Sequence, residues 1–119
     1  MKYIDLYLLS VPEANLPAYK KVATKFGKLA KEHGALSYQE FLGEDLESVG
    51  GLLSFAKAVK PKEGETVVAA VAEFKNKTHR NQVMKKLLAD PRVDEIEPNP
   101  PLFNMKKMYY GGFSGIVEA

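Results

Sequence analysis

The chain has 119 residues, of which 45% are hydrophobic and 27% are charged, proportions typical of a globular protein and not of a disordered one. Its formal net charge of +2 is too small to indicate a nucleic-acid surface by itself. The absence of cysteine excludes a disulfide, a thiolate zinc site and a cysteine nucleophile, and no run of about 18 apolar residues is present to form a transmembrane helix.

The first third of the chain predicts a strand, a helix and a second strand. An apolar run rich in β-forming residues predicts a strand over Tyr3–Val11. Apolar residues then recur every three or four positions, which predicts a helix over Leu16–His33 with Asn15 as its N-terminal cap. Imperfect alternation over Leu36–Leu42 predicts a strand with one wetter face.

The rest of the chain predicts a strand, a helix and a last strand. The segment Glu65–Phe74 is almost entirely apolar, as expected for a central strand covered on both faces. An apolar stripe predicts a helix over Thr78–Ala89, which Asp90-Pro91 ends. The proline-rich run Pro98–Pro101 predicts an irregular connection, and the final strand follows over Lys106–Phe113.

This order of elements predicts an α+β fold, a ferredoxin-like βαββαβ sandwich in which a four-stranded antiparallel sheet carries two helices on one face. The first and the central strand are apolar on both sides, so the other face of the sheet needs a cover. We therefore expect a homodimer in which two sheets face each other about a twofold axis. The length predicts a single domain over residues 1–119.

Two segments, Ala89-Asp90-Pro91-Arg92 and Met108-Tyr109-Tyr110-Gly111-Gly112-Phe113, are the most specific patterns in the chain. With Glu32-His33-Gly34-Ala35-Leu36 and Glu65-Thr66-Val67-Val68, they resemble the YbaA-like proteins, the domain-of-unknown-function family 1428. The resemblance extends over nearly the whole chain. It implies the dimeric α/β-barrel superfamily, in which two ferredoxin-like sheets form a barrel and small-molecule pockets lie between each sheet and its helices. It implies no known reaction.

Five polar or aromatic residues are the candidates for the lining of a ligand pocket: Tyr7, Glu40, Phe55, His79 and Tyr109. The tyrosines combine an apolar ring with a hydroxyl that can donate a hydrogen bond to a carbonyl or enolate. Glu40 has no evident partner in the sequence and is the first candidate for a catalytic base, with His79 as the second. The alternatives are core packing for the tyrosines and a surface or capping position for His79.

Other charged residues have simpler interpretations. Asp5 lies on the first strand beside the expected strand of Lys107, so we expect an ion pair between them. His33 lies in the last turn of the first helix, where its cationic form suits the negative end of the helix. The two histidines are far apart in the sequence and lack an acidic metal-ligand pattern, so we expect neither a metal nor a cofactor.

The connection over residues 43–64 is too long for a hairpin and has two interpretations. In the first it is a flap whose Leu52, Leu53 and Phe55 cover the sheet edge or the mouth of a pocket. In the second it contains a short helix that completes a dimer interface. The pattern favours neither.

The sequence favours a cytoplasmic homodimer that binds a small organic molecule between sheet and helices, and it leaves open an enzyme of the cofactor-independent monooxygenase or isomerase type. The alternative is a structural or stress-associated dimer without a ligand. An RNA-binding module has the same element order, but its aromatic motif belongs on the third strand, whereas Tyr109–Phe113 lies on the last. We therefore expect no nucleic acid and no membrane as partners.

Overall fold

The computed structural model describes all 119 residues. Its four strands are β1 (Tyr3–Pro12), β2 (Ser37–Leu42), β3 (Glu65–Phe74) and β4 (Tyr109–Ser114). They form one antiparallel sheet in the spatial order β2-β3-β1-β4. The predicted α+β fold with a four-stranded antiparallel sheet is confirmed.

Four α-helices accompany the sheet: α1 (Leu16–Glu32), α2 (Phe55–Val59), α3 (Lys77–Leu88) and α4 (Pro91–Ile96). Short 3₁₀ turns lie at Glu13–Asn15 and Met105–Lys107. No helix has both the length and the apolar character needed to cross a membrane.

The main core lies between one face of the sheet and the helices α1 and α3. Tyr3 and Phe74 are opposed on β1 and β3, so their side chains share a face of the sheet. They pack with Leu29 of α1 and with Val83 and Leu87 of α3. Complete burial of a leucine or phenylalanine side chain contributes roughly 1.5–3 kcal/mol, so this cluster holds both helices on the same face.

The helix α4 was not predicted from the sequence. Asp90-Pro91 ends the preceding helix, as predicted, but it also begins a new one. The Asp90 side chain accepts a hydrogen bond of 2.9 Å from the Arg92 N–H. Pro91 suits the first helical position because the N–H that proline lacks would have no partner there. An aspartate cap followed by proline is therefore a signal for a helix start as much as for a stop.

Two local predictions are corrected. Asn15 occupies the N-cap position of α1 but makes no cap hydrogen bond. Its side-chain amide instead donates to the carbonyl of Leu102 at 2.9 Å, which ties the start of α1 to the proline-rich connection. The last strand begins at Tyr109, later than predicted, because Met105–Lys107 form a turn whose Lys106 N–H donates to the Asn104 side chain.

The sheet face that points away from α1 and α3 is largely apolar and open. Its residues form three rows across β2, β3, β1 and β4: Ser37, Glu73, Ile4 and Phe113; Gln39, Val71, Leu6 and Gly111; Phe41, Ala69, Leu8 and Tyr109. Phe41, Tyr109 and Phe113 are each 52% exposed. The apolar uncovered face expected from the alternation of the strands is thus present.

Candidate functional site

A row of residues on the helix-facing side of the sheet carries a carboxylate and two tyrosines. Glu40 of β2 lies opposite Ala70 of β3, Ala70 lies opposite Tyr7 of β1, and Tyr7 lies opposite Tyr110 of β4. Opposed residues share a face of the sheet, so all four side chains point toward the helix layer.

The Glu40 carboxylate is held by two phenols. Tyr19 of α1 donates a hydrogen bond to Oε1, and Tyr38 of β2 donates one to Oε2 at 2.5 Å. A carboxylate oxygen offers two acceptor positions, so each oxygen of Glu40 retains one for a further donor. No partner of Glu40 was evident from the sequence because Tyr19 lies on another element, 21 positions away.

Burial and the negative charge of Glu40 fix the protonation of these phenols. For both Tyr19 and Tyr38, burial is the largest cause that raises the pKa above its ordinary value of 10, and the contact with Glu40 raises it further. Burial, with the charge of Asp5, raises the pKa of Tyr7 to about 12. At neutral pH these hydroxyls are therefore protonated and can donate hydrogen bonds.

A groove of about 440 Å³ opens between α1 and β2, the strand at the edge of the sheet. It is lined by Tyr19, Lys20, Ala23, Thr24, Gly27, Lys28 and Lys31 of α1 and by Tyr38 and Glu40 of β2. Ligand pockets usually have volumes of roughly 300–1,000 Å³, so the groove is large enough for a small organic molecule. Of the five residues predicted to line a pocket, only Glu40 lines this groove.

Gly27 sets the position of the Tyr38 ring. A Cβ atom at residue 27 would lie 2.6 Å from Cδ1 of Tyr38, so only glycine allows the ring to rest on the helix backbone. Phe26 packs edge to face against the same ring with centroids 5.6 Å apart. The phenol that holds Glu40 is therefore itself fixed by α1.

A second polar cluster surrounds Asp5, which is 1% exposed. Arg80 of α3 donates to Asp5 at 2.9 Å, Tyr110 donates to it at 3.0 Å, and Arg80 also reaches the Tyr3 hydroxyl at 3.2 Å. Burial raises the pKa of Asp5, against the lowering effects of Tyr110 and Arg80. The predicted ion pair between Asp5 and Lys107 is wrong. Lys107 lies in the turn before β4, and Asp5 pairs instead with Arg80, which lies 75 positions away on a helix.

The structure does not bring the five predicted residues together. Tyr109 points to the open face of the sheet, away from Tyr7 and Glu40, and its hydroxyl donates to the carbonyl of Ala58 at 2.9 Å. Side chains alternate along a strand, so Tyr109 and Tyr110 cannot share a face, and it is Tyr110 whose ring lies 4.9 Å from that of Tyr7.

His79 lies in the first turn of α3, behind the N-cap residue Asn76, in keeping with the surface or capping position that was its alternative. Its Nδ1 accepts a hydrogen bond from the Lys75 N–H at 2.9 Å, and its own N–H donates to the Asn76 side chain at 2.8 Å. Its ring packs edge to face against Phe74, with centroids 6.0 Å apart. These contacts place His79 at the start of α3 and outside the groove.

The connection over residues 43–64 contains the short helix α2, as one of its two interpretations predicted. Leu52, Leu53 and Phe55 are 73%, 87% and 59% exposed. They therefore do not cover the groove or the sheet in this chain, and the flap interpretation does not describe this conformation.

An ion-pair cluster joins the end of α1 to the start of α4. His33 Nε2 lies 2.8 Å from Asp90 Oδ2, and Arg92 binds both Asp90 and Glu32. Hydrogen bonds from Arg92 and His33 hold the pKa of Asp90 well below its usual range. Glu32, His33 and Asp90 are close enough to resemble a metal site, but the guanidinium of Arg92 already binds both carboxylates and would repel a cation.

Comparison with known sequences identifies relatives over the full chain. Residues 2–105 match the family described as "Protein of unknown function (DUF1428)". The chain is 37% identical over 118 residues to the uncharacterized protein YbaA of Escherichia coli (strain K12), and the match covers 99% of each chain.

Solved structures share the fold at low sequence identity. A nipsnap family protein with unknown function from Agrobacterium tumefaciens has a TM-score of 0.60 at 19% identity, over 94% of this chain and 86% of that one. SnoaB, a cofactor-independent oxygenase from Streptomyces nogalater, has a TM-score of 0.54 at 14% identity, over 98% of this chain and 95% of that one. At such identities the likeness is one of fold.

Proposed function

We propose that this chain, which belongs to the DUF1428 family of proteins of unknown function, forms a homodimer and binds a small organic molecule in the groove between α1 and β2. The observation that carries the binding proposal is the Glu40 carboxylate. It lines the groove, it is held on both oxygens by phenols, and it retains an acceptor position on each oxygen. A ligand hydroxyl or N–H would donate to it.

The same contact between a ligand and Glu40 would also allow Glu40 to act as a general base. A general base must lie within hydrogen-bond reach of the proton that it removes, and Glu40 would meet this condition for a ligand whose hydroxyl or acidic C–H lay against its carboxylate in the groove. The proton would pass to the carboxylate, and the charge would remain on the ligand as an enolate or phenolate. The fold shared with the cofactor-independent oxygenase SnoaB is compatible with such chemistry.

The proposed dimer rests on the open face of the sheet. Its central row, Gln39, Val71, Leu6 and Gly111, is uncharged. The charged pair on this face, Lys2 with Glu73, lies toward one end at 3.5 Å. A second copy related by a twofold axis would bury an apolar surface against an identical one, which is the commonest way for a protein to form a dimer. A structural dimer without a ligand is the alternative, since it would use the same face.

A ligand screen by thermal denaturation separates the two functions. We expect phenols and hydroxylated organic acids to raise the Tm of the wild-type protein and to lose this effect in Glu40→Gln, because the substitution removes the charged acceptor. Glu44→Gln is the control, since Glu44 is exposed and lies outside the groove. If no compound raises the Tm, the structural dimer becomes the better account. If Glu40→Gln responds like the wild type, a ligand binds without the Glu40 carboxylate and the proposed role of Glu40 is wrong.

A further inference from the structure

The groove carries more positive than negative charge. Lys20, Lys28 and Lys31 line it, whereas Glu40 is the one acid among its lining residues. All three lysines are exposed, and none of the ion pairs of the structure involves a lysine of α1. With three lysines and one glutamate, the residues that line the groove have a formal charge of +2. The net charge of the whole chain is also +2. The excess positive charge is therefore available to a ligand.

The charges are distributed unevenly along the groove. Lys28 and Lys31 are three residues apart, so they lie one turn from each other, beside Gly27 and the Tyr38 ring. Glu40 is two residues beyond Tyr38 on β2, a distance of about 6.6 Å along a strand. Lys20 follows Tyr19, which holds Glu40, so the end of the groove with the acceptor carries one lysine. The end beside Gly27 and Tyr38 carries two lysines and is the cationic end.

The helix dipole does not cancel the cationic end. The C-terminus of a helix carries the equivalent of about −0.5 charge, which disfavours an anion near Lys31. Two ammonium groups outweigh it. The last turn of α1 is also closed by backbone hydrogen bonds, of which His33 to Leu29 and Ala35 to Ala30 are each 3.0 Å. The net field at this end therefore favours a negative group.

We infer that the groove selects organic anions that carry a hydroxyl group: the carboxylate of the ligand meets Lys28 and Lys31, its apolar body lies along the groove, and its hydroxyl donates to Glu40. This inference rests on the proposed function and names the chemical class of its ligand. It also assigns Lys28 and Lys31 as specificity-determining residues.

The test compares two matched probes. Para-hydroxybenzoate and para-hydroxybenzamide have the same ring and hydroxyl, but only the first is an anion. Titration of the isotope-labelled protein, followed by backbone amide shifts in β2 and α1, gives an affinity for each probe. Charge-assisted hydrogen bonds are about twice as strong as neutral ones, so we expect the benzoate to bind about fivefold to tenfold more tightly.

Two double variants test which lysines cause the preference for the benzoate. Lys28→Gln with Lys31→Gln should abolish the preference for the benzoate and leave the affinity for the benzamide unchanged. Lys21→Gln with Lys25→Gln removes the same charge from α1 outside the groove, so it should preserve the preference. Equal affinities of the wild-type protein for the two probes, or equal effects of the two double variants, would overturn the inference and leave the proposed function intact. If neither probe shifts the amides of the groove, the inference fails, and the proposed function is judged by the ligand screen with the wider set of compounds.

Discussion

Tyr38 donates a hydrogen bond of 2.5 Å to the carboxylate of Glu40, which lies two residues later on the same strand. Residues two apart on a strand share a face, so β2 alone aligns this donor with its acceptor. Tyr19 adds the second hydrogen bond from α1 and thereby fixes the helix over the edge strand. The candidate site is thus built into the contact between two elements that the core also holds together.

Removal of the Tyr19 hydroxyl should weaken the fold measurably. Hydrogen bonds to charged groups contribute about 1.5–3 kcal/mol, and Tyr19 is buried, so we expect Tyr19→Phe to lower the free energy of unfolding by an amount in this range. Urea denaturation measures it. Thr24→Val is the control, because it removes a hydrogen bond of 2.7 Å from an exposed hydroxyl of the same helix to a neutral carbonyl. If Tyr19→Phe lowers the free energy of unfolding no more than the control does, the hydrogen bond between Tyr19 and Glu40 contributes little to stability.

The tyrosines should ionise late in the folded protein. The structure raises the pKa values of Tyr7, Tyr19, Tyr38 and Tyr110 above the ordinary value of 10, to about 12 for Tyr7. The chain has no tryptophan, so its near-ultraviolet absorbance reports phenolate formation cleanly. We expect these four tyrosines to ionise only above pH 10. A single titration of all six near pH 10 in the folded protein would contradict this environment.

The same raised values predict a dependence of stability on alkaline pH. The neutral phenol is favoured in the folded state, so its contribution to the free energy of unfolding is complete below pH 10 and is lost as the pH rises through the folded-state pKa values. For Tyr7 this interval runs from 10 to about 12. In Glu40→Gln we expect Tyr19 and Tyr38 to ionise at lower pH than in the wild type, since their negative neighbour is gone.

The ionised carboxylate of Asp90 should stabilise the folded protein, and this contribution should be lost at acidic pH. Its pKa is held below the ordinary value of 3.8, so its contribution is present above pH 3.8 and is lost as the pH falls through the folded-state value. Asp90→Asn keeps an oxygen that can cap α4 but removes the charge that binds His33 and Arg92. We therefore expect Asp90→Asn to be less stable than the wild type at neutral pH and nearly equal to it in acid.

The control for this variant is Asp94→Asn, because Asp94 is an exposed carboxylate in the first turn of the same helix and forms none of the ion pairs. Chemical denaturation across a pH series compares the three proteins. If the difference in the free energy of unfolding between the wild type and Asp90→Asn stays constant as the pH falls, the effect does not come from the charge of Asp90.

The proposed dimer gives a direct prediction for the open face of the sheet. At low micromolar concentration we expect the wild-type protein to sediment with twice the chain mass of 13.2 kDa. Leu6→Lys places a charge in the central row of this face and should shift the protein to the monomer. Ser48→Lys adds the same charge on the exposed connection and should leave the dimer intact. A wild-type protein that sediments as a monomer would contradict the dimer.

The sequence predicted the strands and the apolar open face well because these follow from local patterns. The apolar run Glu65–Phe74 matches β3 residue for residue, and the alternation along β1 identifies Leu6 and Leu8 as residues of one face. It could not predict the pairing of Asp5 with Arg80, which depends on how α3 sits over the sheet. Contacts between distant elements depend on packing, which no local pattern encodes.

The tyrosines show the same difference between what local patterns predict and what depends on contacts between elements. Alternation already implied that Tyr109 and Tyr110 face opposite sides, but the register against β1 decides which of them joins Tyr7. The groove was also out of reach of local patterns. It is lined by Gly27 and Tyr38, which lie close together, and nothing in the sequence pairs these two residues.

The central claim is that Glu40 receives a small organic ligand in the groove between α1 and β2. The most direct test is a crystal structure of the wild-type protein soaked with a mixture of phenols and hydroxylated organic acids. We predict ligand density in the groove with a donor atom within hydrogen-bond distance of a Glu40 oxygen. Ligand density only at other positions, or an empty groove in which Glu40 contacts nothing beyond Tyr19 and Tyr38, would contradict the claim.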